Sequence, residues 1–393
     1  MNKSSTIMVA IFAVVMVAIV AVYIANDRDR VDTKEYIEGD WNLVSEYVGT
    51  WMNDAPVYSE DTTQKEKVTI SHFNGNFYIF DTGDKKLYCS WDGKKMVTSG
   101  MEEGSSVAFI MGLPEYDDNF MLVIYFVGEE GVIKLYKREG YTGEFSGLSI
   151  PIDVPKVGDT MESFKIREYT PEGPVDHGIN TLTVKDIKGR MLFYDVLTQD
   201  ESHCHFVCIY LGAYIFMSMG VTENDVIYNM AEYRGGVLYC SAVNRSTGNE
   251  WVIEYGDKSS ADYPDKNISG HTYVGSEDYV IYKDGKVVEQ DYYNGMNLKI
   301  LMQDDECLSI STIDVGGSEI ARWTSAMTDL RPLYHYGISV QSLVEYEGKQ
   351  YYGWYFGYFS SKDCEKLSIY GALTGDDGSC VVISQHYNLV KTE

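Results

Sequence analysis

The sequence predicts a mainly β fold: an N-terminal transmembrane helix followed by three tandem antiparallel domains, each a β-barrel or a β-sandwich. Three observations carry this reading. One strand–turn–strand phrase recurs over residues 68–82, 182–196 and 298–315, its first residues 114 and 116 positions apart. A short apolar hairpin closes each unit, and a single uncharged apolar run stands near the N-terminus. A period of this length is too long for a solenoid repeat and suits a whole domain.

Residues 6–25 contain neither charge nor proline. Twenty helical residues cover about 30 Å, the thickness of a hydrocarbon core. The apolar region of a cleaved signal peptide is shorter, about 7–15 residues. Bulky Tyr23 also stands where a small residue should precede the cleavage site. Residues 1–25 are therefore expected to form a short N-terminus and anchor, and residues 26–39 a polar juxtamembrane linker. Arg28, Arg30 and Lys34 outnumber Lys3, which on basic residues alone places the body in the cytoplasm. Against this, only five residues precede the run, as in a signal-anchor. The expected localisation is the cell membrane, single-pass, with the C-terminal domains extracytoplasmic.

The three domains are expected over 40–147, 148–260 and 261–393. A segment with Pro151 and Pro155 and a polar stretch over 256–264 separate them. Short runs rich in Val, Ile, Tyr and Phe, broken by Gly, Asp and Asn, indicate antiparallel hairpins. The closing hairpins lie at 120–136, 236–255 and 365–384. Residues 315–336 are the least strand-like and read as a short helix or a lid. Sequential hairpins that bury one face close into a barrel or stack as a sandwich.

All 59 acidic residues and 31 of the 32 basic ones lie beyond Ala25, a formal charge of −28 for that part. Such a surface repels phosphate backbones, so no nucleic-acid partner is expected. Seven cysteines are too few for a disulfide framework in this length, and they fall one, three and three among the units. No bridge can therefore be common to all three, and buried free thiols are the default reading.

The densest metal-type cluster is His203-Cys204-His205-Phe206-Val207-Cys208. On a strand, His203 and His205 share a face about 7 Å apart, near enough to hold one zinc ion together. Cys204 and Cys208 share the other face, about 13 Å apart, too far for one ion. Two imidazoles fall short of a zinc ligand set, and Asp200 and Glu201 are the nearest additions in sequence. The bland alternative is a strand with two packed thiols and two half-exposed histidines. Acidic turns such as 115–119, 304–306 and 376–378 lack the spacing of a calcium loop and read as hairpin turns.

The most aromatic stretch is 351–359, which alternates Tyr351, Gly353, Tyr355, Gly357 and Phe359 on one face with Tyr352, Trp354, Phe356 and Tyr358 on the other. A core stripe with rings folded over glycines is one reading. A flat platform for sugar rings or a partner is the other, built on Tyr351, Trp354 and Tyr355 and extended by Tyr334 and His335. The sequence holds no nucleophile elbow, zinc-protease helix motif, phosphate loop or dinucleotide fingerprint. No catalytic residue and no cofactor is expected.

Val48-Gly49-Thr50-Trp51 resembles the Gly-x-Trp start of lipocalin-like barrels, which implies a barrel holding a small apolar ligand. The second unit offers only Val157-Gly158-Asp159-Thr160-Met161, without the tryptophan. The anchor, the acidic Tyr-rich body and the tandem β-units together resemble archaeal-type membrane-anchored cell-surface proteins. The expected function is therefore a non-enzymatic surface protein. It would display three repeated β-domains for binding or adhesion to a cell-surface protein or glycan. The alternatives are the ligand-binding barrel and a cell-envelope hydrolase.

Overall fold

The computed structural model describes residues 37–391, apart from 94, 114–117, 171, 213–214, 223–224, 245–246, 248, 262–267, 304–306, 314–316, 318, 331–334, 347 and 360–363. From Gly39 onward the regular elements are antiparallel strands, with one three-residue 3-10 turn, Lys258–Ser260. The first sheet holds β1 (Gly39–Met52), β2 (Ala55–Asp61), β3 (Lys67–Asn74), β4 (Phe77–Asp81) and β5 (Lys86–Trp91). It continues through β6 (Lys95–Thr98), β7 (Ala108–Gly112), β8 (Phe120–Val127) and β9 (Glu130–Arg138). The second holds β10 (Thr160–Thr170), β11 (Gly173–Asp176), β12 (Thr181–Lys188), β13 (Met191–Leu197) and β14 (His203–Gly212). It continues through β15 (Ile215–Thr222), β16 (Asp225–Arg234), β17 (Val237–Asn244) and β18 (Glu250–Gly256). The third holds β19 (Thr272–Lys283), β20 (Lys286–Gln303), β21 (Cys307–Ile313) and β22 (Glu319–Leu330). It ends with β23 (His335–Tyr346), β24 (Lys349–Phe359), β25 (Lys366–Gly375) and β26 (Cys380–Lys391).

Each sheet closes on itself, because β1 pairs with β9, β10 with β18 and β19 with β26. Closure leaves no unpaired edge on the eight wall strands. Residues 319–330, part of the stretch expected to form a helix or lid, are strand β22. In the first two barrels the opening strand also pairs with a short return strand, β2 on β1 and β11 on β10, before the wall resumes with β3 or β12. In the third barrel the return strand and the next wall strand are fused. The eighteen-residue β20 pairs first with β19 and then with β21.

The repeated phrase forms the hairpins β3–β4, β12–β13 and β20–β21, and each carries a bulge in its first strand, two residues later in the first hairpin than in the other two. The register slips between His72 and Asn74, between Val184 and Asp186, and between Ile300 and Met302. A second slip interrupts the closing pair of each barrel, between Leu43 and Ser45, Ser163 and Lys165, and Thr272 and Tyr273. A one-residue slip reverses which side chains face inward. In the first barrel Leu43 lies opposite Tyr136 on the inner face. Beyond the bulge Tyr47, Gly49 and Trp51 turn outward, toward the second barrel.

The inner face of the second barrel is apolar, with Leu182, Val184, Leu192, Tyr194, Cys208, Tyr210 and Tyr255 among its core. Lys134, on the inner face of the first barrel, lies 3.0 Å from Glu66 and 3.6 Å from Glu46. The Tyr136 hydroxyl donates to Glu66 at 3.0 Å. Residues 39–393 cluster as one unit, and each barrel touches the others. Barrel 1 receives β13 and β14 of barrel 2 on its β1–β9 face, and barrel 3 on β5–β7. A Cβ at Gly49 would stand 2.5 Å from Met191 Sδ, and one at Gly131 would stand 2.9 Å from Ile209 Cδ1. These two positions are the landing points of the second barrel. At the other seam Ser90 Oγ donates to the Ile383 carbonyl at 2.6 Å, and the Tyr282 hydroxyl donates to the Ser99 carbonyl at 2.7 Å.

Two expectations are corrected. The fold class with an N-terminal transmembrane helix is replaced, over the described residues, by an all-β architecture, since no helix among them is long and apolar enough to cross a membrane. Residues 6–25, on which that helix was placed, lie outside the described residues. The single-pass localisation with extracytoplasmic domains rested on the same helix and falls with it. The physical reason is that hydropathy and length report how apolar a segment is, and not that it is helical.

Candidate metal centre

The β13–β14 hairpin is built by a five-residue turn over 198–202. Thr198 N–H donates to the Ser202 carbonyl at 2.9 Å. Asp200 accepts from the Thr198 hydroxyl and from Ser202 N–H, and these bonds hold its carboxyl below the usual range. Glu201 takes the left-handed corner with φ 63°. Both acids suggested by sequence proximity are thus part of the turn. The turn sets Leu197 opposite His203, and therefore Asp195 opposite His205.

With a side-chain period of two, Asp195, His203 and His205 share the outer face of the barrel. His203 Nδ1 lies 2.9 Å from Asp195 Oδ1, and His205 Nε2 lies 3.5 Å from the same oxygen. One donor atom from each of the three falls within 4.8 Å of the others. Zinc–nitrogen and zinc–oxygen bonds of about 2.0–2.2 Å in a tetrahedron require ligand atoms about 3.3 Å apart, so the set needs only slight adjustment. Three protein ligands leave the fourth position open.

Asp195 is 8% exposed. Its second oxygen is held by Lys185 Nζ at 3.2 Å, and Lys185 is the bulge residue of β12. Burial pushes the Asp195 carboxyl up, but the hydrogen bonds from His203 and Lys185 outweigh it and leave the group below its ordinary range. The carboxylate is therefore charged and preoriented, with Oδ1 turned to the imidazoles. Cys204 and Cys208 point to the other face, Cys208 within the barrel core. The six cysteines with described side chains are all free thiols.

The first barrel contributes two more groups. The Trp51 ring stacks on His205 with centroids 4.2 Å apart and planes 8° apart, and its Nε1 donates to the Phe206 carbonyl at 3.1 Å. Asp54 Oδ1 stands 3.9 Å from His205 Nδ1. Asn53 and Asp54 form the two-residue turn of the β1–β2 hairpin with φ 50° and 59°, the geometry of a type I′ turn. Gly49 and Trp51, the two fixed residues of the Gly-x-Trp segment, therefore face the second barrel and not the interior of the first.

The aromatic run has a different environment. Tyr351, Tyr355 and Phe359 point into the core of the third barrel, where Tyr355 lies over Gly371 of β25. Trp354 is 1% exposed, and its ring and that of Phe356 pack on Phe109 of β7 with centroids 6.1 and 5.0 Å away. Tyr351, Trp354 and Tyr355 offer no open ring face. Tyr334 lies outside the described residues, as does the side chain of His335. A cleft of about 860 Å³ opens at the seam of barrels 1 and 3, between Lys85, Glu102, Tyr282, Asp284 and Cys380. Its charges are mixed and form no convergent ligand set.

Asp195 was missed by sequence reasoning, although hairpin register reveals it: a turn pairing 197 with 203 necessarily pairs 195 with 205. Over the described residues, the fold and site define three closed antiparallel β-barrels with an outward-facing carboxylate–bis-imidazole cluster. No protein-family model matches the chain, and no curated protein does. Among solved structures, it is similar to a protein with unknown function from the DUF3598 family of Nostoc punctiforme. That match has 11% identity, 59% of this chain and 95% of that one covered, and a TM-score of 0.30. It is also similar to Transferrin Binding Protein B of Haemophilus parasuis, at 8% identity with 90% and 77% covered and a TM-score of 0.26. The isotype 1 protein of that name from Neisseria meningitidis gives 6% identity, the same coverage and a TM-score of 0.25.

Proposed function

We propose that this chain is a non-enzymatic binding protein that holds a divalent first-row transition metal at Asp195, His203 and His205, with one coordination position left for a ligand. The observation that carries the reading is the convergence of one carboxylate and two imidazole donors within 4.8 Å on a single hairpin. The donor set suits zinc and its neighbours, which favour imidazole, over calcium or magnesium, which take oxygen. An ordinary hydrogen-bonded Asp–His pair predicts the same contacts without a metal, so titration decides between them. Isothermal titration of the full chain with zinc chloride should show one equivalent bound, with His203→Ala and Asp195→Asn each abolishing the heat. Wild-type protein that takes up no zinc, or binds it equally well without these side chains, would remove the reading. Adhesion through the aromatic run of the third barrel is not carried forward, because the described rings at its centre are already covered.

A further inference from the structure

We infer that the first barrel supplies the outer shell of this metal site, so that metal loading and the docking of barrels 1 and 2 reinforce each other. The inference rests on the metal reading above and adds to it the roles of Trp51 and Asp54. His205 presents Nε2 to Asp195 and Nδ1 to Asp54, on opposite sides of its ring. A metal held by Nε2 requires that nitrogen unprotonated, which places the ring proton on Nδ1, facing the Asp54 carboxylate. Carboxylates behind ligating imidazoles fix the tautomer and raise the basicity of the ligand. At 3.9 Å the pair is longer than a hydrogen bond. The Asp54 side chain is 92% exposed on a two-residue turn, so rotation is free to close the gap.

Trp51 fixes the second degree of freedom. Its indole lies nearly parallel to the imidazole, and its Nε1 bond to the Phe206 carbonyl locks it to the strand that bears the histidines. The ring of His205 thus has its plane set by Trp51 and its tautomer by Asp54, both from β1 and its turn. Gly49, two residues before Trp51, permits the close approach that brings these groups within reach. The ligands come from one barrel and their orientation from another, so separating the barrels loosens the site. By linkage, binding at the site tightens the seam.

The test compares Asp54→Asn and Trp51→Phe with wild type by zinc titration of the full chain and by thermal unfolding with and without zinc. Asparagine tolerates the left-handed backbone at position 54, so that variant should keep the fold. Asp54→Asn should bind zinc 10–100-fold more weakly while its metal-free unfolding temperature stays at the wild-type value. Trp51→Phe should also weaken binding, and in wild type copper(II) should quench an emission component that this variant lacks. Wild-type affinity in both variants would overturn the outer-shell role and leave the metal site standing. Absence of zinc binding in wild type itself would instead remove the reading on which the inference rests.

Discussion

Gly49 and Gly131 stand directly opposite each other on β1 and β9, and both lie under side chains of the second barrel. A Cβ at Gly49 would meet Met191 Sδ at 2.5 Å and Phe193 Cζ at 3.1 Å. One at Gly131 would meet Ile209 Cδ1 at 2.9 Å and Val207 Cγ1 at 3.1 Å. These glycines serve approach between barrels and not turn geometry.

Filling that space should force the barrels apart. Gly131→Val is expected to lower stability by about 1–3 kcal/mol, the usual cost of overpacking a close-packed contact. Gly49→Ala should cost less, because Met191 is flexible and its terminal atoms can move. Chemical denaturation checks both. Coupling in a double-mutant cycle of Gly49→Ala with Met191→Ala would locate the effect at this seam, whereas strict additivity would place it elsewhere.

The metal itself should act as a stabiliser of the same seam. At a free zinc concentration a hundred times its dissociation constant, linkage predicts about 2.7 kcal/mol of added stability. A chelator should abolish the gain, and His203→Ala should show none at any zinc concentration. An equal gain in that variant would mean that zinc acts at another place.

The hairpin that builds the site was legible in the sequence, but its surroundings were not. His203 and His205 sharing a face follows from strand period alone, and their partner Asp195 follows from counting back through the turn. Trp51 is different: its bond to the Phe206 carbonyl spans 155 positions. Local pattern carries no information on which outer face meets which. The aromatic run shows the same division. The alternation of Tyr351, Tyr355 and Phe359 against Trp354 and Phe356 is plain in sequence. That Phe109 covers the latter pair is a fact of barrel docking. The fused β20 was also hidden: Asn294-Gly295 is a turn-type pair, yet Gly295, at φ 86°, only bulges the strand and does not end it.

The seam between barrels 1 and 3 should weaken in mild acid. His386 Nε2 lies 2.9 Å from Asn76 Nδ2 of the first barrel and 3.3 Å from Ser384 Oγ, while Nδ1 faces Ser368 Oγ at 3.0 Å and Tyr370 packs edge-on. Burial lowers its pKa below the ordinary 6.5, opposed only in part by Asp278. The unfolded chain therefore binds the proton more readily, and stability falls as pH drops from about 6.5 through the lowered value. Glu277 and Asp278 carry raised pKa values from burial, so their contribution has the opposite sign: present in acid and lost as pH rises through those values. Urea midpoints measured at about pH 7.5, 6.5 and 5.5 should fall across the last step in wild type. They should change less in His386→Gln, and identical slopes would refute the assignment.

Trp354, for which the sequence left open a core stripe or a binding platform, is a seal between barrels 1 and 3. Trp354 and Phe109 are 1% and 0% exposed, and Phe356 meets the same Phe109 edge-on while Lys95 Nζ lies 5.1 Å from its ring centre. Removing a buried aromatic side chain of this kind costs about 3–5 kcal/mol. Phe109→Ala and Trp354→Ala should therefore each lower the unfolding free energy by that order. Because the two rings share one contact, the double variant should lose less than the sum of the singles. A platform residue behaves otherwise: its truncation leaves stability almost unchanged and removes ligand binding. Denaturation of the three variants therefore separates the two roles, and a Trp354→Ala protein as stable as wild type would return this tryptophan to the surface.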